Sequence, residues 1–392
     1  MHLKSGEFIA AAEIEDDGAY PVYGGNGLRG FTENWNTSGP IVLIGRQGAL
    51  CGNVQIVSGK AWVSEHALRC FPEKPLNVSF LRYALQSLKL GQYSVSAAQP
   101  GLSTDNLKPL LLPFPSPEIQ RQIAAFLDEK TAQIDGLIAK KQALLDRLAE
   151  KRQAIITQAV TKGLNPATPM KDSGIDWLGQ VPAHWTLLPL GRSVFQIEQG
   201  WSPQCEERQK EETEWGVLRS GCVNEGVFRP HDHKTLPADL DPRPFLEVRA
   251  GDLLMCRASG SLHLIGSAAL VEDCPPRMMF SDKTYRIRLS TDVADARFVA
   301  LALGAKYMRE QIILSVSGAG GLANNIPQAQ VKKYEFVRPP VGEQQQIAQI
   351  VSARLRKMEE VTRTVDKSVQ SLSDYRSALI TAAVTGQIEG LR

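Results

Sequence analysis

The sequence predicts an α+β protein in which two mixed α/β globules are separated by two long helices. We expect the helices to form an antiparallel coiled coil, which would give the chain pseudo-two-fold symmetry. Three observations lead to this fold class. One stretch of the sequence recurs without a gap, each copy of it has a helical pattern, and the segments before the copies repeat the same order of short apolar runs. A fixed internal period of this kind indicates a duplicated unit.

The duplicated stretch is the strongest of these observations. Glu118–Gly163 aligns with Gly342–Gln387 at a constant offset of 224 residues. Identical residues fall at both ends of the alignment, and a chance resemblance is hard to sustain over such a length without a gap. The identical residues are Gln120, Gln122, Ile123 and Ala124 with Gln344, Gln346, Ile347 and Ala348, and Arg152, Ala154, Ile156, Thr157, Ala159, Val160 and Thr161 with Arg376, Ala378, Ile380, Thr381, Ala383, Val384 and Thr385.

Each copy has the pattern of one long helix. No proline occurs between Glu118 and Lys162, and apolar residues recur there at steps of three and four. Pro117 precedes the first turn and Gly163 follows the last, which are typical start and stop signals. Two helices with apolar stripes most simply bury the stripes against each other. The alternative is that each helix packs on its own globule.

The chain therefore reads as globule, helix, globule, helix. We assign residues 1–114 to the first globule and 115–164 to the first long helix. Residues 165–340 form a linker and the second globule, and 341–392 form the second long helix.

Short apolar runs bounded by turn residues predict the elements of the first globule. The expected elements are β-type runs at Ile41–Ile44, Val54–Val57 and Ala61–Phe71, a helix at Phe80–Leu90, and an extended strand at Leu110–Phe114.

The second globule repeats this order of elements. Leu254–Arg257 corresponds to Leu43–Arg46, Gly266–Val271 to Gly52–Val57, and Phe280–Tyr285 to Val63–Leu68. The correspondence fails at its start, where the second globule has an opening segment of about 25 residues that includes Trp185 and Leu187–Ile197. Without a counterpart of this segment, we expect the first globule to be less stable or to read no sequence.

Composition narrows the class of protein. Residues 1–115 carry nine Lys and Arg against nine Asp and Glu, and residues 164–340 carry twenty against twenty-one. A nucleic-acid contact would therefore need localised basic residues or a partner that supplies phosphate contacts. The six cysteines are scattered without a Cys-x-x-Cys pair, which is typical of reduced thiols in the cytoplasm. No apolar run is long enough to cross a membrane.

Motifs for catalysis are absent or incomplete in the sequence. Gly25–Gly30 matches G-x-G-x-x-G, but the residues that follow cannot form the helix that a dinucleotide site requires. His231, Asp232 and His233 could supply ligands to a metal, yet their spacing fits no usual zinc pattern. The chain has no nucleotide-binding P-loop, no nucleophile elbow and no amino-methyltransferase tetrapeptide. We therefore expect a binding protein without a catalytic or metal site of its own.

Several motifs together resemble the specificity subunit of type I restriction-modification systems. They are Tyr20–Gly27, Asp172–Gly179 with Val181–Trp185, the Gln-Ile-Ala starts of both long helices, and their Ile-Thr-x-Ala-Val-Thr ends at Thr161 and Thr385. Each motif is weak alone, but their order and duplication make a resemblance that covers essentially the whole chain.

The resemblance implies a function and a set of partners. Each globule would be a target recognition domain that reads one half of a split double-stranded DNA site, and the helices would act as spacers and dock two methyltransferase subunits. Those subunits would bring S-adenosylmethionine, and restriction subunits would bring ATP and magnesium. The specificity chain would be cytoplasmic and would bind no cofactor itself. Self-association is also possible.

The resemblance also directs attention to polar and basic residues on turn-rich loops. Base edges in DNA are read by such side chains through hydrogen bonds. The candidate DNA-binding residues are Asn26, Arg29, Arg46, Gln47 and Gln99 in the first globule, and Arg219, Asn224, Arg257, Lys283 and Asn324 in the second.

Two other functions stay open at the level of sequence. The chain could be the DNA-recognition subunit of a stand-alone methylation system, which the same motifs would serve. It could instead be a coiled-coil scaffold without a nucleic-acid role, although two globules of more than a hundred residues are more than a spacer requires.

Overall fold

The computed structural model of the protein describes residues 1–48, 50–94, 101–317 and 324–391. The chain divides into two compact units. Unit 1 contains Met1–Leu144 and Thr364–Arg392, and unit 2 contains Leu145–Arg363. Each unit therefore has a globule and one end of each long helix.

Among its described residues, unit 1 contains eight strands and three α-helices that begin before the chain enters unit 2. The strands are β1 (His2–Ser5), β2 (Tyr20–Gly24), β3 (Gly27–Thr32), β4 (Thr37–Ser38), β5 (Ile41–Gly45), β6 (Val54–Val57), β7 (Lys60–Val63) and β8 (Ala67–Phe71). The helices are α1 (Val78–Ser87), α2 (Thr104–Leu107) and α3 (Pro117–Lys162), the last of which ends in unit 2.

Unit 2 contains thirteen further strands among its described residues, and four further helices begin there. The strands are β9 (Met170–Asp172), β10 (Gln180–Pro182), β11 (Thr186–Pro189), β12 (Val194–Gln199), β13 (Gly216–Leu218), β14 (His233–Thr235), β15 (Leu253–Cys256), β16 (Ala258–Ser259), β17 (Ala268–Leu270), β18 (Met278–Phe280), β19 (Thr284–Leu289), β20 (Asn324–Asn325) and β21 (Glu335–Arg338). The helices are α4 (Ala296–Gly304), α5 (Lys306–Leu314), α6 (Gln328–Val331) and α7 (Val341–Val384).

The two globules share one sheet topology. Unit 1 has a sheet in the order β1-β8-β5-β6, and unit 2 has a sheet in the order β12-β19-β15-β17. A second sheet in each unit combines a parallel pair with an antiparallel one: β2 lies parallel to β7 and antiparallel to β3, as β13 lies to β18 and β14. The duplication inferred from the sequence is therefore present in the strand order.

The same close backbone contact occurs at equivalent residues in the first sheet of each unit. Gly6 and Gly200 each follow the edge strand of the first sheet. A Cβ atom at Gly6 would meet the carbonyl oxygens of Val63 and Ser64, and one at Gly200 would meet those of Phe280 and Ser281. A side chain fits at neither position, which explains why glycine occurs at both.

The long helices pack against each other in each unit. In unit 1, Ile123 and Leu127 of α3 lie in one buried cluster with Ile380 and Val384 of α7, and Asp135 Oδ1 accepts a hydrogen bond from Arg376 Nε at 2.8 Å.

In unit 2, Ile156 and Val160 from the end of α3 lie in one buried cluster with Ile347 and Val351 from the start of α7. In both units the residues of α3 rise as those of α7 fall, so the pairing is antiparallel. The predicted α+β fold with two globules and two antiparallel long helices is confirmed.

Four sequence expectations need correction. Helix α7 ends at Val384, so the last residues before 392 do not continue the second long helix. Ala61–Phe71 forms two strands, because the turn around Ser64–His66 separates β7 from β8. Leu110–Phe114 is not a strand. Its counterpart β21 pairs with β11, and Leu111 is 89% exposed instead.

The fourth correction concerns the opening segment. β1 pairs with β8 as β12 pairs with β19. Leu3 therefore takes the place of Ile197, so the end of the segment that was expected to lack a counterpart has one.

Candidate nucleic-acid interface

In unit 1, backbone contacts bring three loops to one end of the first sheet. The β2–β3 turn meets the end of β5 so closely that a Cβ atom at Gly45 would meet the carbonyl oxygen of Gly25. The amide of Arg46 donates to the carbonyl of His66 at 2.8 Å, and the carbonyl of Arg46 accepts from the amide of Leu102 at 2.8 Å. Backbone hydrogen bonds of this kind hold side chains of several loops on one surface.

Four predicted residues of unit 1 lie on these loops. Asn26 is exposed in the β2–β3 turn, and Arg29 is exposed on β3, where its side chain crosses Gly24. The Arg46 guanidinium donates from Nη1 to Ser5 Oγ at 3.4 Å. Gln47 is exposed, and its Oε1 lies 2.6 Å from Nδ1 of His66. The structure thus brings these loops together.

His66 was missed in the sequence analysis. It occupies the position that corresponds to Lys283 in the alignment of Val63–Leu68 with Phe280–Tyr285. That alignment could have identified it, because both positions carry a side chain that can hold a positive charge. Gln99 lies outside the described residues.

In unit 2, Arg257 joins two segments of backbone. Its Nε and Nη2 donate to Asn325 Oδ1 at 3.1 and 2.7 Å, and its Nη1 donates to the carbonyl of Asp282 at 3.0 Å. The guanidinium also lies over the ring of Tyr285 at 5.4 Å. Arg257 therefore supports the loops of the surface through its own hydrogen bonds.

The other candidates of unit 2 differ in accessibility. Lys283 is exposed in the turn between β18 and β19. Asn324 is buried, against the expectation of an accessible loop residue, because β20 pairs with β16.

Two candidates lie on the connection between β13 and β14. Arg219 is exposed and donates from Nη2 to Glu207 Oε2 at 2.6 Å. Asn224 is half-buried, and its carbonyl accepts from Arg229. This connection is the counterpart of the Asn26 turn.

The loops of the two units are held by equivalent hydrogen bonds. Gly52 N donates to Gly45 O at 2.7 Å as Gly266 N donates to Cys256 O at 2.8 Å. Likewise, Arg257 N donates to the carbonyl of Lys283 at 2.9 Å, and Arg257 O accepts from Ile326 N at 2.9 Å. These two bonds repeat those that Arg46 makes with His66 and Leu102. We call this set of backbone hydrogen bonds the loop frame. The loop frame is present in both units, whereas the side chains that it carries differ.

The first sheet of each unit contains a buried arginine at an equivalent position. Arg69 is the strand partner of Leu43 in unit 1, and Arg286 is the strand partner of Leu254 in unit 2. Arg69 donates mainly to neutral acceptors, including Ser5 O and Thr37 Oγ1 at 3.0 Å. Arg286 instead donates to Glu198 Oε2 at 2.7 Å and Asp252 Oδ2 at 3.3 Å.

Burial opposes ionisation of Glu198. The hydrogen bonds and charges of Arg286 and Arg288 outweigh burial and hold the pKa of this carboxyl below its ordinary value of 4.5.

Burial raises the pKa of the Cys70 and Cys274 thiols to about 12, so neither forms a thiolate readily. Within the described ranges, no group of three or more His, Cys, Asp or Glu side chains is arranged to hold a metal ion. His233 uses both ring nitrogens internally, with Nδ1 at 2.8 Å from the carbonyl of Pro230 and Nε2 accepting from Lys210 N at 3.1 Å.

The fold and these two loop clusters define a duplicated α+β architecture. The family described as type I restriction modification DNA specificity domain matches residues 1–147. The specificity subunit of the type I restriction enzyme EcoprrI from Escherichia coli is 41% identical over 133 residues, which are 33% of each chain. That of EcoEI, also from Escherichia coli, is 29% identical over 206 residues, which are 52% of this chain and 34% of the relative.

A solved structure shares the fold. A chain from work on complex assembly and conformational transition of the type I R-M system superposes with a TM-score of 0.62 at 14% identity, and the match covers 90% of this chain and 83% of that one. The matched stretches are about a third of the length of the EcoprrI and EcoEI relatives. Over residues 1–147 the chain matches the type I restriction modification DNA specificity domain, and the two relatives named above are specificity subunits of type I restriction enzymes. Among the described residues, no helix is both long and apolar enough to cross a membrane.

Proposed function

We propose that this chain is the DNA-reading specificity subunit of a type I restriction-modification complex and that it recognises a two-part site. In this proposal the loop cluster of unit 1 reads one half of the site and that of unit 2 reads the other. The long helices join the two readers and fix the spacer between the half-sites.

The observation that carries the proposal is the repeated loop frame with different side chains. A protein that reads one symmetric sequence would present the same side chains twice. Here His66 stands where the other unit has Lys283, and Gln47 pairs with Gly101 where the other unit pairs Ala258 with Asn325. Different donors and acceptors in the same frame favour two different half-sequences.

Phosphate contacts would come partly from bound subunits, because neither globule has an excess of basic residues. Exposed apolar residues on the long helices support such partners. Leu137 of α3 and Val361 of α7 are separated by the duplication offset of 224 and are 48% and 49% exposed. Exposed apolar side chains at equivalent places favour two copies of one partner. We propose that these partners are methyltransferase subunits.

The chemistry would then belong to the partners. In this proposal the methyltransferase subunits hold S-adenosylmethionine, and restriction subunits hold ATP and magnesium. The specificity chain binds DNA and positions the partners in the cytoplasm without catalysing a step.

Co-expression with a type I methyltransferase subunit, followed by methylation-sensitive sequencing of the host DNA, tests the function. We expect one methylated motif with two specified halves and an unspecified spacer of fixed length. Co-expression of the methyltransferase alone is the control and should leave that motif unmethylated. A methylome without any two-part motif would contradict the proposal.

A further inference from the structure

A buried glutamine occupies the first turns of both long helices and ties each helix to its globule. Gln120 of α3 is 1% exposed, and Gln344 of α7 is 0% exposed. The two are related by the duplication offset of 224. A buried amide needs hydrogen-bond partners on both its oxygen and its nitrogen.

The partners of the two glutamines are the same in kind. Gln120 Oε1 accepts from the backbone amide of Asn77 at 3.0 Å, and its Nε2 donates to the carbonyl of Pro115 at 2.9 Å. In unit 2, Gln344 Oε1 accepts from the amide of Asp295 at 2.9 Å. Its Nε2 donates to the carbonyl of Pro339 at 2.8 Å and to that of Val293 at 2.9 Å.

Asn77 and Asp295 connect each glutamine to a helix of the globule. Asn77 Oδ1 accepts from the amide of Phe80 and so caps α1, and Asp295 Oδ1 accepts from the amide of Phe298 and caps α4, each at 2.9 Å. Each glutamine therefore links the cap of a globular helix, the long helix that carries it, and the proline-containing segment just before that helix. We call this segment the hinge; it includes Pro115 in unit 1 and Pro339 in unit 2. Hydrogen bonds from one side chain to two other pieces of chain restrict rotation of the long helix against its globule.

The residues around the glutamines differ between the copies. Pro117-Glu118-Ile119 precedes Gln120, whereas Val341-Gly342-Glu343 precedes Gln344. Both hinges thus keep the glutamine, the backbone amide that donates to it and the proline carbonyl that accepts from it, although the three residues before the glutamine differ. Packing alone does not require an amide at this position, because the adjacent contacts of Ile123 and Ile347 are apolar.

We propose that Gln120 and Gln344 are positioning residues that fix the angle between each globule and its long helix and thereby fix the spacer length that the protein accepts. This inference rests on the function proposed above. A rotation of about 10° would move loops that lie roughly 20 Å from the hinge by about 3.5 Å, which is close to the rise of one base pair. Loss of the hinge hydrogen bonds would therefore relax the choice of spacer without changing the bases that each loop cluster reads.

Gln344→Met tests the inference, because methionine keeps the length of the side chain but can neither accept from Asp295 nor donate to Pro339. Gln345→Met is the matched control, since Gln345 is exposed on the next position of the same helix. The full chain in complex with its methyltransferase subunits would be titrated with duplexes that carry the same two half-sequences and spacers one base pair shorter, equal and one base pair longer. Thermal unfolding of each complex would be measured alongside.

We expect Gln344→Met to reduce the preference for the natural spacer by about tenfold, with the half-sequence preference retained. We expect Gln345→Met to behave as the unaltered protein. An equal loss of affinity for all three spacers would overturn the inference, because it would show a purely structural role. If Gln344→Met does not fold, Gln120→Met carries the same test at the other hinge, and failure of both to fold would also overturn it. If the unaltered complex shows no preference for any half-sequence, the proposed function fails, and the inference fails with it.

Discussion

The two units use one scaffold with different supports. In unit 2 the hinge strand β21 pairs with β11, and Trp185 is fully buried beside it with its Nε1 donating to Glu343 Oε2 at 3.0 Å. In unit 1 the corresponding Leu111–Phe114 is not in a strand, and Ile119 occupies the position of Glu343. Ile119 packs against the same buried cluster as Ile388 and Leu391, which come from the chain beyond α7.

The two units can therefore be compared by the features that they share and the features that differ. Both units keep the four-stranded sheet, the buried glutamine and the buried arginine. The β11 strand and its tryptophan support the hinge strand of unit 2, whereas Leu111–Phe114 pairs with no strand among the described residues. We therefore expect the units to differ in stability more than in the geometry of their loops.

The largest expected effect follows from removal of the tryptophan. Trp185→Ala should lower the free energy of unfolding of unit 2 by about 3–5 kcal/mol, because it leaves a large cavity and removes an indole hydrogen bond. Hydrogen exchange measured by mass spectrometry would locate the loss, and unit 1 should keep its protection. Trp177→Ala, at a residue that is 47% exposed, is the control with a smaller effect. A loss below about 1 kcal/mol would mean that β11 is not a major support.

A second prediction compares the units as docking surfaces. Leu137→Asp and Val361→Asp should each weaken binding of one methyltransferase copy by about 2 kcal/mol, since a charge would replace an apolar contact. Native mass spectrometry would show loss of one copy for each variant and of both for the double variant. Gln142→Ala, at an exposed position on a different face of α3 from Leu137, is the control. Unequal losses would show that the two surfaces are not equivalent.

A third prediction compares the arginines at equivalent loop positions. Arg257→Ala should lower both the stability of unit 2 and its DNA affinity by about 1–2 kcal/mol, because its guanidinium holds Asn325 and the carbonyl of Asp282. Arg46→Ala should lower DNA affinity by a similar amount but leave the stability of unit 1 unchanged, since the hydrogen bond that its side chain makes among the described residues is a long one, to Ser5 Oγ at 3.4 Å. Gel shifts and thermal unfolding would separate the two effects. Reduced affinity without reduced stability for Arg257→Ala would contradict its supporting role.

The smallest expected effect is a difference in acid sensitivity. The pKa of Glu198 is lower in the folded unit 2 than its ordinary value of 4.5, so its contribution to stability is present above pH 4.5 and is lost as pH falls through the folded value. The equivalent position in unit 1 is Lys4, and Arg69 there donates mainly to neutral acceptors. Hydrogen exchange between pH 5 and 3 should therefore show unit 2 losing protection through this pair, an effect that Glu198→Gln removes. Equal behaviour of Glu198→Gln and the unaltered protein would contradict this contribution.

Much of this architecture could be predicted because duplication is visible in a single sequence. The offset of 224 paired Gln120 with Gln344, and the sequence located both ends of α3 and the start of α7 within a few residues, whereas α7 ends at Val384 and not at 392. The alignment of Leu254–Arg257 with Leu43–Arg46 likewise identified Arg257 as the equivalent of Arg46 in the second globule. Periodicity and turn residues carry this information because they reflect local backbone preferences.

The candidate DNA-binding residues were harder to judge. The sequence selected polar residues on loops, but it could not show that Asn324 is buried by the pairing of β20 with β16 or that Arg257 is held by Asn325. Accessibility depends on which distant segments pack together, and a single sequence does not reveal those partners. His66 was overlooked because its contact with Gln47, a residue 19 positions away, forms only in the folded chain.

By itself, then, the sequence determined that the chain is a duplicated α+β protein with two long helices and two turn-rich globules. These features follow from repeats, helical spacing and turn composition, which are local properties of the chain. Only the tertiary structure decided which hinge has a strand partner, which arginine supports the loops, and what the buried amides of Gln120 and Gln344 hold together. Those properties depend on contacts between residues far apart in sequence, whose energies arise only when the chain has folded.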